Sequence, residues 1–392
     1  MEKPWLKDFE EDVAKWRSRW ESLYDEGIPT KYDYERYPLK YWFNHWADKH
    51  PQKPYILMGD MQFDYGTVNI IARKLANSLL GLGVKKGDRV AIMAPNVPQY
   101  LFSLHALLKI GAIEVPTNPL YTVPELRVQF ADSGTETVIV MAMFASKAIE
   151  LLKEKDSPVK RVIVFQVPSG LVEVEKGDNI YDFMELIGPA SDAEPGVEVY
   201  AGDICRLQYT GGTTGVPKGC VLTNFMMWTQ CVRTSIWVTS NFKLVPFDEV
   251  RTLCAIPLNH IYGLNANVNI CLYCGGSIVL VAQPTPDNLL AAIEQHRPNL
   301  FAAVPAMIIG LNNHPKIAEA DITSLKGIFC GSSPLAVETM KRFEELTGGK
   351  IFEGYGLSET INILTVNPVF RLRKPGSCGI VWPDTDLVVV DV

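Results

Sequence analysis

ICRLQYTGGTTGVPKG, Ile204 to Gly219, is the stretch on which the reading of this chain turns. Its first part, Ile204–Tyr209, is apolar enough for a buried strand. The next ten residues, Thr210 to Gly219, hold four glycines, three threonines and one lysine. Glycines let a backbone come close to a ligand and turn its N–H groups inward. The hydroxyls of Thr210, Thr213 and Thr214 add donors, and Lys218 adds a positive charge. Such a set suits a polyphosphate. It is not a Walker A loop, in which Lys directly follows the second Gly and precedes Ser or Thr. Here Val216 and Pro217 stand before Lys218, and Gly219 follows it. A glycine turn without a ligand is the alternative, and the density of Thr and Lys weighs against it.

Outward from this loop the chain alternates strands and helices. A helix is expected directly after it, over Asn224–Val238. Before it, Val90–Met93, Thr137–Met141 and Arg161–Phe165 read as short buried strands, with a helix over Pro98–Ile110 that stops at Gly111. After it, strands are expected at Thr252–Ile256, Ser277–Val281, Asn299–Val304, Gly327–Cys330 and Lys350–Glu353. Helices are expected over Pro286–His296 and Leu335–Leu346. The former carries its own punctuation: Thr285 to cap it, Pro286 at its first position, Pro298 beyond its end. Alternation of this kind means an α/β fold, a mostly parallel sheet covered by helices. An amphipathic helix at about Trp5–Tyr24 is expected on the surface. Residues 168–202, loose and rich in Gly, Pro and acids, read as a connection between two lobes. Asp386–Val392 reads as a strand at which the sequence stops, which suggests a piece of a longer protein.

The 392 residues are 47% apolar and 21% charged, enough for a large core and a prior of two or three domains. The net charge of −7 argues against binding nucleic acid through a broad basic face. No export signal is visible at MEKPWLKDFEED, and no apolar run is long enough to span a membrane. Most of the eight cysteines lie in or beside apolar stretches and read as reduced core residues of a cytoplasmic protein. Cys271 and Cys274 form a lone CxxC with no second pair, and the histidines show no zinc spacing. A two-fold homodimer is common among such enzymes, but no patch of sequence points to one.

A second chemical segment, Gly354-Tyr355-Gly356-Leu357-Ser358-Glu359-Thr360, follows the Lys350–Glu353 strand. Open α/β sheets place ligands at the carboxyl ends of strands. Tyr355 offers an aromatic face to a base, Ser358 a hydroxyl to a phosphate, and Glu359 a hard oxygen ligand to Mg²⁺. An ordinary turn with a solvated Glu359 is the competing reading. A hydrolase elbow fails because residue 360 is Thr. Two weaker segments also follow strands. Pro257–Gly263 (PLNHIYG) carries His260, which could line a pocket, although a lone histidine is more often structural. Gly331–Leu335 (GSSPL) could lay a flat ring against backbone or simply start a helix.

Together these segments resemble the adenylate-forming superfamily of acyl-CoA synthetases, luciferases and adenylation domains, and look closest to AMP-forming fatty acyl-CoA ligases. TGGTTGVPKG is similar to the family's phosphate loop, YGLSET to its Tyr-Gly-x-Thr-Glu segment, and PLNHIYG and GSSPL to two further core segments. Gly83–Tyr100 is also similar, so the likeness covers nearly everything after about residue 40. It implies a large N-terminal domain over 1–375, made of two stacked α/β subdomains, then the start of a β-barrel-like subdomain over 376–392. It implies that Thr210, Gly211, Gly212, Thr213, Thr214, Gly215 and Lys218 hold the β- and γ-phosphates. Glu359 would bind Mg²⁺, Ser358 would contact the α-phosphate, and Gly354 and Gly356 would flank Tyr355. Tyr355 would stack on adenine opposite Gly331, Ser332 and Ser333. His260 would border the acyl pocket and the site of CoA attack.

The implied reaction joins a carboxylic acid to coenzyme A through an acyl-AMP formed from MgATP, with no side-chain nucleophile. A medium- or long-chain fatty acid is the expected substrate. An aromatic acid, an amino-acid adenylation domain and a binding module without turnover are the alternatives. Met226, Met227, Trp228 and Trp237 could line an apolar tunnel, though a core stripe is the plainer reading. Two departures stand out: Asn259 where the family more often has Phe, and Ser358 where it has Thr. The ribose-binding Asp, hinge and lid with its catalytic Lys lie beyond these residues in the family, so turnover by this chain alone is not assured.

Overall fold

The fold, seen in a computed structural model, is described for residues 4–168, 170–210 and 217–388. In chain order the first strands are β1 (Pro54–Met58), β2 (Met61–Asp64), β3 (Arg89–Met93), β4 (Ile113–Thr117), β5 (Thr137–Met141), β6 (Arg161–Phe165), β7 (Ile180–Asp182), β8 (Ile204–Thr210) and β9 (Lys218–Thr223). They continue with β10 (Arg251–Cys254), β11 (Ser277–Leu280), β12 (Leu300–Ala303), β13 (Gly327–Cys330), β14 (Lys350–Tyr355), β15 (Thr365–Val366) and β16 (Ile380–Val381). They form a seven-stranded sheet, β7-β6-β5-β3-β4-β8-β9, and a nine-stranded one, β16-β15-β14-β13-β12-β10-β11-β1-β2. Most neighbours are parallel; the antiparallel pairs are β1–β2, β8–β9, β14–β15 and β15–β16.

The expected α/β fold is therefore present, in two sheets. The helices at Pro98–Ile110, Asn224–Val238 and Pro286–His296 fall on the expected residues. Their ends follow local chemistry. Gly111 closes the first with φ 64°, a left-handed cap that glycine takes without strain. The Thr285 hydroxyl accepts the Asn288 N–H at the start of the third.

Three features depart from expectation. The glycine loop does not run straight into a helix. Strand β9 intervenes and pairs antiparallel with β8, Thr210 opposite Lys218, so the loop joins the two arms of a hairpin. Residues 168–202 do not pass between lobes. They leave the seven-stranded sheet at β6, add β7 to its edge and re-enter it at β8. The crossing to the other sheet comes after β9, and β1 and β2 already lie there, so the two layers are interleaved in sequence. Finally, 385–388 form no strand, and the rest of the expected terminal strand lies outside the described residues.

One large apolar cluster fills the space between the sheets, drawing on the helices at Leu39–Lys49, Pro98–Ile110 and Asn224–Val238; smaller clusters cover the outer faces. Met227, Trp228 and Trp237 are buried in it, and Trp228 stacks on Trp42 at 3.9 Å, so these residues are core. Met226 is exposed. All eight cysteines are free thiols, six of them buried. Among the described residues no helix is long and apolar enough to cross a membrane.

The N-terminal segment is tied to the far end of the chain. The buried Asp25 carboxylate accepts the N–H groups of Val369, Phe370 and Arg371 and the Ser240 hydroxyl. Arg17 pairs with Asp386. The helix Pro4–Glu21 is thus packed against the body, as its pattern predicts.

His105, on the inner face of the Pro98–Ile110 helix, shares a 2.8 Å hydrogen bond with the Tyr55 hydroxyl and stacks on Phe43 at 3.7 Å. Its Nδ1 is buried without a partner. Burial, helped by the Lys109 charge, lowers its pKa to about 3. The unfolded chain takes up this proton near pH 6.5 and the folded chain does not. Stability contributed by neutral His105 is therefore present above about pH 6.5 and is lost as pH falls toward 3, at up to about 1.4 kcal/mol per pH unit. Urea unfolding at pH 7.0, 6.0 and 5.0 should show this slope, and His105→Gln should flatten it. An equal slope in the variant would assign the acid sensitivity elsewhere.

Candidate active site

A cleft of about 620 Å³ opens where the carboxyl ends of β13 and β14 face the end of β8 from the other sheet. Its lining includes Thr210, His260, Tyr262, Gly331, Ser332, Gly354, Tyr355, Gly356, Ser358 and Glu359. Three of the four segments singled out in the sequence thus line one space, together with Thr210 of the fourth. Lys218 is exposed at the start of β9, paired across the hairpin with Thr210. Ser333 is exposed beside the cleft and is not part of its lining. Gly211, Gly212, Thr213, Thr214 and Gly215 lie outside the described residues.

The floor is set by Tyr262. Its hydroxyl donates to the carbonyls of Phe329 at 2.7 Å and Ala303 at 3.2 Å, bridging the ends of β13 and β12. Tyr355, by contrast, leaves its ring half exposed at the mouth. Beside it Ser332 holds φ 72°, a left-handed backbone unusual for serine. The loop carrying Ser332 is fixed from behind by Glu353. This buried carboxylate accepts the Leu335 N–H and the Gly376 N–H, each at 3.0 Å.

His260 stands at the edge of the cleft with its Nδ1 accepting the Tyr262 N–H at 3.1 Å. The other nitrogen, Nε2, is then the N–H that faces outward in the neutral ring. Desolvation in the wall, with the Arg206 charge behind it, lowers the ring's pKa and favours that neutral form. His260 can therefore donate one hydrogen bond to an oxygen in the cleft.

Three buried side chains place its loop. The Asn96 amide donates to the Cys254 and Ile256 carbonyls and accepts the Leu258 N–H. Arg206 donates to the Leu258 carbonyl at 3.1 Å, and Gln208 to the Asn259 carbonyl at 3.1 Å. Arg206 is itself paired with Glu114, which also takes the Tyr100 hydroxyl at 2.7 Å. The departure at Asn259 thus involves a residue whose backbone is held.

The sequence reading missed these supports. Arg206 and Gln208 alternate in an otherwise apolar strand, on the side facing the cleft loops, and that was a legible sign.

Glu359 is exposed and lines the cleft. It also lies near β9: partial burial and the Glu359 charge together raise the Cys220 thiol. Among the described residues no group of three or more His, Cys, Asp or Glu could hold a metal ion by itself. A lone carboxylate suits Mg²⁺ that arrives on substrate phosphates, which keeps most of its other ligands.

Comparison with known proteins gives the same picture. The family model for AMP-binding enzymes matches residues 43–392. A long-chain-fatty-acid–CoA ligase of Bacillus subtilis is 32% identical over 99% of this chain and 69% of its own length. The crystal structure of a long-chain-fatty-acid-CoA ligase from Archaeoglobus fulgidus superposes with a TM-score of 0.78 at 24% identity, over 92% of this chain and 72% of that one. An anthranilate CoA ligase crystallised with anthranoyl-AMP has the same TM-score, 0.78, at 24% identity; 88% of this chain is covered, but only 63% of that protein's length. At such identities the structures speak for the fold alone. With the ends of β8, β13 and β14 gathered on one cleft, and a family match running from residue 43 to 392, the chain belongs to the AMP-binding enzymes.

Proposed function

We propose that this protein is an AMP-forming acid–thiol ligase that converts a fatty acid of medium or long chain to its CoA thioester. One observation carries the reading. A single cleft gathers an exposed aromatic face, a neutral histidine donor, a hydroxyl and a carboxylate next to the Thr210–Lys218 hairpin end. The kinship with long-chain-fatty-acid–CoA ligases supports the choice of acid.

In the first half-reaction a carboxylate oxygen bonds to the α-phosphorus of ATP. The bond from that phosphorus to the bridging oxygen breaks, and pyrophosphate leaves with the electron pair. Adenine lies between Tyr355 and the Gly331–Ser333 backbone. Ser358 donates to the α-phosphate. Lys218 and the loop beside Thr210 neutralise charge on the departing pyrophosphate. Mg²⁺, when bound, supplies further charge neutralisation, and Glu359 is the residue that would hold it. His260 Nε2–H orients the acid's oxygen. In the second half-reaction the CoA thiol gives its proton to solvent, its sulfur bonds to the acyl carbon, and the acyl–oxygen bond breaks as AMP leaves with the electron pair. Positioning and electrostatics carry the catalysis.

The reading includes a division of the chain near residue 375. The switch from parallel to antiparallel pairing falls about ten residues earlier, at β15, and β16 beyond residue 375 remains paired with β15 in the same sheet. The reading also places the protein in the cytoplasm, where MgATP and CoA are supplied and free cysteines stay reduced.

Product analysis tests the proposal. With MgATP, CoA and a panel of acids, AMP and pyrophosphate should form with palmitate or octanoate in preference to benzoate or coumarate. Release of ADP would overturn the reaction class, and preference for an aromatic acid would overturn the substrate. Lys218→Ala and Glu359→Gln should each lower AMP formation by about 10²-fold, the usual scale for removing one charge-stabilising group. Both should keep the parent's cooperative melt, because both side chains are exposed.

A further inference from the structure

The turn that carries Ser358 and Glu359 ends in an unusual backbone. Ile361 has φ 58° and ψ 38°, and Asn362 follows with φ 102°. A β-branched residue in the left-handed region is a true outlier, and two successive non-glycine residues there are not held by local preference. Its own backbone bonds, from Ile361 N–H to the Ser358 carbonyl and from Asn362 N–H to the Leu357 carbonyl, close it, and contacts from outside the turn reinforce it.

Two buried amides do so. Gln230, in the helix Asn224–Val238, donates through Nε2 to the Thr360 carbonyl at 3.1 Å and the Ile361 carbonyl at 3.2 Å. Asn265 donates through Nδ2 to the same Ile361 carbonyl at 3.1 Å. Both side chains are fully buried. Asn265 is itself oriented, since its Oδ1 accepts Asn269 Nδ2 at 2.7 Å. The two asparagines lie on Leu264–Asn269, a π-helical stretch directly after the short helix Ile261–Gly263 that His260 caps. Wide turns of this kind re-aim side chains and are frequent near functional sites.

We propose that Gln230 and Asn265 are positioning residues that hold the Ser358–Asn362 turn in its left-handed form, and so set where Glu359 meets the nucleotide's metal ion. This rests on the functional reading above. The clamp joins the parts of that site. Gln230 sits on the helix that follows the phosphate-loop hairpin. Asn265 sits on the segment that follows His260. Both grip the residue two positions after Glu359. A shift in either element is transmitted to the metal-binding carboxylate without any contact to substrate.

The test uses Gln230→Ala, Asn265→Ala and Ile361→Gly in the whole chain. Calorimetry with ATP alone should show only a small loss of affinity in the alanine variants, the share carried by Ser358 on the α-phosphate. With Mg²⁺ present, most of the gain in affinity seen for the parent should be lost. AMP formation from palmitate should fall ten- to a hundred-fold in kcat, and the Mg²⁺ needed for half-maximal rate should rise, with the KM for palmitate unchanged. Glycine enters the left-handed region freely, so the clamp should matter less behind it. In the Ile361→Gly background, Asn265→Ala should therefore cost at most about a third of its effect in the parent, as a fold-change in kcat. Parent-like Mg²⁺ dependence in both alanine variants would overturn the proposal, as would an undiminished effect in the glycine background. A uniform loss of ATP affinity with and without Mg²⁺ would also overturn it, as a structural role. A parent that forms no AMP with any acid would count against the functional reading instead. The calorimetric comparison would still decide the clamp.

Discussion

Gly356→Ala should abolish adenylation while the body of the protein still melts as a unit. A Cβ at Gly356 would lie 1.1 Å from the Asn362 carbonyl oxygen and 2.2 Å from its carbon, both backbone atoms. No rotamer relieves such an overlap, because backbone cannot swing aside as a side chain does. The neck of the turn must open. That neck is closed by the Asn362 N–H to the Leu357 carbonyl and the Leu364 N–H to the Tyr355 carbonyl, each 2.9 Å. Opening it displaces Ser358 and Glu359 together and moves Tyr355 from Gly331. Misplacement of reacting groups by about 1 Å can cost about 10² in rate, and three site groups move here, so AMP formation should fall by at least that factor. The turn lies at the cleft and its tip is exposed, so the cooperative melt should persist with a lowered midpoint. AMP release and calorimetric melting on the same preparation check both halves. Activity within a factor of about three of the parent would show that the turn tolerates the opening and that its shape does not set the site.

How much of this was legible follows from where the signals lie. The helices at Pro98–Ile110 and Pro286–His296 announce themselves through prolines, a capping threonine and a terminal glycine, all within the segment. The three described cleft loops, carrying His260, Ser332 and Ser358, were legible for a related reason. Their chemistry sits in short runs of Gly, Ser, Thr, His and Glu directly after apolar strands. Strand β9 was not legible, because KGCVLT is short and runs into the Thr223 cap of the next helix; only its pairing with β8 makes it a strand. The π-helical LNANVN was hidden similarly, its alternating asparagines giving no helical period. The supports of the site are the least legible of all. Arg206 meets Glu114 across 92 positions, Asn96 reaches Ile256 across 160, and Gln230 reaches Thr360 across 130. A buried polar residue in a sequence shows that a partner exists, by the cost of leaving it unpaired, but not which one.

Breaking the Arg206–Glu114 pair should be the most destabilising single change in the core. Both side chains are 1% exposed. Removing one charge leaves the other buried without its counter-ion, at a cost of about 3–5 kcal/mol. Arg206→Met and Glu114→Leu should each show this in urea unfolding. Combining them removes both charges. With Tyr100→Phe added, the hydroxyl that donates to Glu114 is gone as well. Replacing a buried pair by apolar groups of similar volume is often neutral, so the triple variant should recover stability to within about 1–2 kcal/mol of the parent. Activity should not recover with it. Arg206 is also the donor to the Leu258 carbonyl, two residues before His260, and its charge helps keep that ring neutral. The triple variant should therefore fold well yet form AMP about 10²-fold more slowly, because the His260 loop has lost one of its three supports. The pH dependence should move too. Without the Arg206 charge the His260 pKa rises, so the acid limb of the rate profile shifts to higher pH. A triple variant that regained stability, full rate and the parent's acid limb would show that the ion pair serves the core alone. Recovery of stability without rate separates its two roles: charge compensation across the neighbouring strands β4 and β8, and aim for His260 in the cleft.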